Sequence, residues 1–170
     1  GTARVCELRL RMKRNMLAPA MHPGATAFNV NPENKKVAGK YGIIMTSAHC
    51  EPLLFNNTTE WFKETMGEWN YMTNKDGINK VLEKRVSENA PYENVYVLAM
   101  RGIHDEGITG IAEDQKVNVM ETVLRDQRKI LDKYTDKPID QIPQVFVPYK
   151  EVLDIYEKGM KVPEDVTIVW

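Results

Sequence analysis

Two cysteines and three histidines are few among 170 residues, and neither cysteine belongs to a CxxC pair. Cys6 and Cys50 therefore exclude a disulfide framework and a zinc knuckle, and read as two inert thiols. An excess of charge is also missing. With 23 Lys plus Arg against 24 Asp plus Glu the net charge is -1, so no global field attracts a nucleic-acid backbone or an anionic membrane. No stretch approaches the roughly 20 consecutive apolar residues that cross a bilayer, and the start GTARVCELRLRMKRN has no signal-peptide apolar region. Repeats, low-complexity tracts and a dividing linker are absent as well. What remains is 42% apolar and 28% charged, a composition that packs into a globule rather than staying open by repulsion. The basic residues Arg9, Arg11, Lys13 and Arg14, interleaved with Leu8, Leu10 and Met12, read as the solvated face of a helix leading into Asn15.

Five short apolar runs bounded by Gly, Pro or Asn recur at residues 16–21, 42–45, 95–100, 144–147 and 166–170. They do not alternate, which suits strands of a parallel sheet covered on both faces. Helical patterns lie between them. Residues 58–66 follow the caps Asn56 and Asn57, and residues 76–88 set Ile78, Val81, Leu82 and Val86 on one stripe. Residues 113–134 repeat Val117, Met120, Val123, Leu124, Ile130 and Leu131 at helical spacing, and residues 151–158 end at Gly159. Strand and helix alternating is an α/β pattern. Five strands are either an open doubly wound parallel sheet or part of a (β/α)8 TIM barrel, which typically needs about 250 residues. The apolar run ending at Trp170 favours the second, with residues 1–170 one part of a single catalytic barrel domain truncated at both ends.

In such folds functional groups gather just after each strand. Those positions hold His22 after the first run, His49 and Glu51 after the second, Arg101, His104 and Asp105 after the third, and Tyr149 and Glu151 after the fourth. All three histidines fall there, which favours one shared site. The expectation is that the five strands lie parallel in one sheet in chain order, with His22, His49, Asp105 and Glu151 on one rim. Two chemistries fit. Asp105 and Glu151 can divide acid and base work in glycoside hydrolysis with Arg101 pairing an anionic substrate group, or three imidazoles and a carboxylate can hold a metal. The tight His-x-His or HExxH spacing of a legible metal site is not present, so the metal reading ranks second. Competing local readings are helix N-terminal charge for Glu151 and a capping turn before Gly107 for Asp105.

A series of strings, NMLAPAM (15–21), AF (27–28), NPEN (31–34), YGI (41–43), SAHCEP (47–52), MRGIHD (100–105), DQR (126–128) and PYKEV (148–152), resembles the catalytic barrel of glycoside hydrolase family 115, the xylan α-glucuronidases. The match runs in order from near Asn15 to Trp170. Family members are much longer, so the resemblance implies an internal fragment whose pocket is completed by an acidic, Asn-containing loop after Trp170. It implies a (β/α)8 barrel and the inverting removal of α-1,2-linked glucuronic acid or its 4-O-methyl ether from xylan, without a cofactor or metal.

By motif, His49, Arg101, Asp105, Tyr149 and Glu151 match the family's pocket positions. Glu151, below an apolar run, is expected to have a raised pKa and act as the acid; Asp105, four residues after Arg101, is the base. Arg101, His49, Tyr149, His22 and His104 are expected to hold substrate. His22 and Ala18 stand where many members carry aromatics, which alters the wall open to sugar stacking. The expected partners are glucuronoxylan or its oligosaccharides, the remaining domains of the parent, and a second copy in a homodimer; the expected location of the parent is periplasmic or secreted. A non-catalytic carbohydrate-binding module remains the third class, and the 170 residues alone are expected to be inactive.

Overall fold

The computed structural model describes residues 1–170. Helix α1 (Thr2–Arg11) carries Arg9 and Arg11, while Lys13 and Arg14, expected on the same helix, follow its end; Arg11 pairs Glu7 one turn back and Arg9 donates to Met16 O at 2.5 Å. The chain then alternates β1 (Met16–Leu17), α2 (Pro32–Lys40), β2 (Ile44–Met45), α3 (Asn57–Glu60), α4 (Lys63–Met66), α5 (Lys75–Asn89), β3 (Tyr96–Val97), α6 (Lys116–Tyr134), β4 (Gln144–Phe146), α7 (Glu151–Glu157) and β5 (Thr167–Ile168). No helix is long and apolar enough to cross a membrane.

All strand pairs are parallel and follow chain order, but they form two small sheets, β1-β2 and β3-β4-β5, rather than the single sheet expected. One parallel bridge between Met45 and Asn94 joins them: Met45 N donates to Glu93 O, and Val95 N donates to Met45 O. The strands are two or three residues long, shorter than the apolar runs, because the chain turns away to build loops as soon as each run reaches the rim. Strand order never reverses, so the topological switch point that defines a doubly wound sheet is absent.

Burial follows the two sheets. A core of 23 buried residues joins α5, α6, β3, β4 and α7 through Leu82, Leu98, Val123, Leu131, Phe146 and Ile155, whereas the small sheet packs only Cys6, Ala38, Ile43 and Met45 with α1 and α2. Cys6 and Cys50 are buried, free thiols. Residues 58–66 are not one helix. They break at Trp61 and Phe62, because Trp61 turns inward, its Nε1 donating to Gly67 O. Helix α2 was not foreseen; Asn31 caps it by accepting from Glu33 N, with Pro32 at the first helical position.

The DQR string of α6 ties the strands together. Gln127, fully buried, accepts from Ala99 N at 3.0 Å and donates to Ala99 O at 2.6 Å, substituting for a ladder partner just beyond β3. Arg128 donates to Gln144 of β4 and to Asp165 ahead of β5, and Asp126 accepts from Tyr71 and pairs Lys75. The third strand's end is thereby fixed where the next loop begins.

Candidate active site

That loop, residues 101–107, folds back sharply. Gly102 N donates to Glu106 O at 2.9 Å, and a Cβ on Gly102 would lie 2.8 Å from Gly107 O, a backbone atom that cannot give way. His104 and Asp105 both adopt positive φ, 51° and 63°, a conformation that costs non-glycine residues of order 1–3 kcal/mol and persists where surrounding contacts impose it. The imposing contacts are visible. Buried Asn57 donates to Gly102 O and accepts from His104 N, and Trp69 Nε1 donates to Arg101 O at 2.8 Å.

Arg101 is the hub. Its side chain is 2% exposed, and it donates through Nε and Nη2 to the two oxygens of Glu151, at 3.1 and 2.7 Å, in a fork-to-fork pair across 50 residues. Its Nη1 contacts Asp105 Oδ1 and donates to Asp105 O. One guanidinium therefore bridges both candidate carboxylates, and it is turned toward them rather than toward solvent. Glu151 opens α7 and also accepts from Ile108 N, so the helix N-terminal reading and the site reading describe the same placement.

Burial pushes Glu151 up, but the hydrogen bonds from Arg101, from its own backbone N–H and from Ile108 N, with the charge of Arg101, together hold it below the ordinary carboxylate range. This corrects the expected raised pKa. The apolar run that suggested a dry pocket lies beneath Glu151, whereas the group facing it is an arginine from another strand. His49 donates from Nε2 to Asp105 Oδ1 at 2.7 Å, its tautomer following from the acceptor. Burial and then Arg101 and Lys150 hold His49 below its usual pKa against an opposing pull from Glu151, leaving it neutral near pH 7.

Tyr149 lies edge-on to His49 with ring centroids 4.7 Å apart and is 44% exposed. His22 and His104 also meet edge-on at 5.9 Å, both exposed, with Thr58 3.5 Å from His104 Nδ1. All seven expected residues thus gather at the strand ends. Sequence reasoning missed Lys150, whose Nζ lies 3.6 Å from Asp105 Oδ2 and 5.2 Å from the Tyr149 ring and which is half exposed; its place inside PYKEV was the available signal. His49, Cys50 and Asp105 are close enough for a metal, but Asp105 already meets three side chains and burial pushes the Cys50 thiol up to about 11.

The model of glycosyl hydrolase family 115 matches residues 2–170. A solved structure described as a novel family GH115 4-O-methyl-α-glucuronidase, BtGH115A, with specificity for decorated arabinogalactans superimposes with a TM-score of 0.93 at 43% identity. The overlap covers 99% of this chain and 22% of that one, so the 170 residues span about a fifth of the relative's length. No curated protein matches. The chain belongs to glycosyl hydrolase family 115.

Proposed function

We propose that these residues form one side of a (β/α)8 barrel in a glycosidase that releases α-1,2-linked glucuronic acid or 4-O-methylglucuronic acid from glucuronoxylan with inversion. The observation that carries this is the pairing of Asp105 and Glu151 on the single guanidinium of Arg101, beside His49 and Tyr149. Parallel strands in unreversed chain order support the barrel. Inverting cleavage needs a proton donor at the leaving oxygen and a base activating water on the opposite face, with carboxyls about 6.5–9.5 Å apart. Glu151 acts as the acid and Asp105 as the base. Since Arg101 holds Glu151 below the ordinary range in the empty site, the acid role requires substrate to loosen that fork. Lys150, half exposed beside Asp105, meets the uronate, and Tyr149 supplies an apolar wall.

The similarity to BtGH115A favours a second backbone, a decorated arabinogalactan bearing the same uronic acid. Uronic acid released from glucuronoxylan and from arabinogalactan by the full-length protein separates the two. In that protein Asp105→Ala and Glu151→Ala lower turnover by several orders of magnitude while the fold persists. The variant lacking the acid keeps activity on substrates with an activated leaving group, and the variant lacking the base is rescued by azide. Activity within about tenfold of wild type in both variants would refute the two-carboxylate reading.

A further inference from the structure

The His49 imidazole is presented by a five-residue turn that one buried carboxyl closes. Ser47 Oγ donates to Glu51 O at 2.8 Å, Glu51 N donates to Ala48 O at 2.9 Å, and Ala48 N donates back to Glu51 Oε2 at 3.0 Å. Between these bonds stand His49, directed at Asp105, and Cys50, whose Sγ donates to Met21 Sδ at 3.4 Å and pins the turn to the chain leaving β1. Glu51 is 7% exposed and makes no ion pair with any cation, unlike Glu60, which Arg85 holds. Glu51 and Glu60 line one small cavity of about 20 Å3 with Ser47 and Asn56. The hydrogen bond of this carboxyl runs to the backbone of its own turn. What it can do is fix the backbone from which His49 reaches Asp105.

We propose that Glu51 is the positioning residue that holds His49 in hydrogen-bond register with Asp105. The inference rests on the reading of Asp105 and Glu151 as the reactive pair. The side-chain length is part of the argument: Oε2 of a glutamate spans the turn back to Ala48 N, and an aspartate, one methylene shorter, does not. The acceptor matters and the charge does not. Burial pushes Glu51 up to about 7, with Glu60 adding to the shift against hydrogen bonds from Ala48 N and Asn56, so near neutrality the group is substantially uncharged. Glutamine, of the same shape and with the same acceptor, satisfies Ala48 N.

The test is a double-mutant cycle on uronic acid release by the full-length enzyme. Glu51→Ala lowers kcat by about 10–100-fold with KM within about twofold, because what is lost is the alignment of a group acting at the reaction step. In a His49→Ala background the same substitution costs less than about threefold, since the imidazole it positions is gone. Glu51→Gln stays within about threefold of wild type, whereas Glu51→Asp behaves like Glu51→Ala. Additive losses in the cycle, or a Gln variant as impaired as the Ala variant, overturn the proposal. If Glu51→Ala does not fold, the Gln and Asp variants decide: an active Asp and an inactive Gln overturn it. Asp105→Ala, run alongside, keeps the two readings apart, because an active Asp105→Ala sinks the reactive pair itself and not only the role of Glu51.

Discussion

Arg101 commits its donors to Asp105 and Glu151, and this sets how substitutions at the rim behave. Lysine offers a point charge where two carboxylates need a planar fork, so Arg101→Lys leaves at least one of them poorly paired. Turnover should fall by on the order of 100-fold or more, and equally for uronic acid and neutral glucose side chains. A selective loss on the uronate would mean that Arg101 grips substrate directly. Glu51 lends itself to a pH measurement. Its pKa rises from an ordinary 4.5 to about 7 on folding, so between those values the folded state holds a proton that the unfolded state has released. Stability from this group is therefore full below about pH 4.5 and declines as pH rises through 7, by roughly 3 kcal/mol. Glu51→Gln removes the decline. The variant and wild type should unfold at similar temperatures near pH 4, and the variant later at pH 8.5; parallel curves would refute the buried-carboxyl assignment.

At the scale of elements, helix α6 does more than cover the sheet. Gln127→Ala would leave the N–H and C=O of Ala99 buried without partners, at a cost of roughly 2–4 kcal/mol, and would release the strand end from which Arg101 projects. Thermal unfolding should register the loss, and turnover should fall with it. Helices α5 and α6 were legible because Ile78, Leu82, Val123, Leu124 and Leu131 keep helical spacing against one core. Helix α2 was not, since PENKKVAGK offers only Val37 and Ala38 as an apolar face, and its real signal, Asn31 before Pro32, is a cap rather than a period. The rim residues could be read because each follows an apolar run. Their electrostatics could not: Glu151 and Arg101 are 50 positions apart, and nothing local to either foretells the fork that lowers Glu151. The split of the sheet also escaped, because two short strands joined by one bridge produce the same apolar runs as a continuous sheet.

Taken as a whole, the molecule has a strand with one open edge at each end of its strand order, β1 and β5, with Met16 40% exposed and Val169 and Trp170 43% and 79% exposed. Open edges flanked by apolar side chains recruit further chains. The 170 residues expressed alone should sediment as concentration-dependent assemblies and release no uronic acid, whereas a monodisperse monomer with a sharp unfolding transition would show the edges to be harmless. The single bridge at Met45 and Asn94 has a further consequence. His49 lies between Met45, in the core of four buried residues, and Leu53, in the core of 23 that also backs Asp105 and Glu151. The candidate rim thus draws on two cores of unequal size, joined by the His49–Asp105 bond together with Lys35–Glu88 and Asn29–Leu54. Opening the weaker half by far less than the energy of global unfolding would draw the imidazole away from its carboxylate. Amide exchange at Ile44 and Thr46 should then outpace exchange at Leu98, which would show that the two cores open independently of each other.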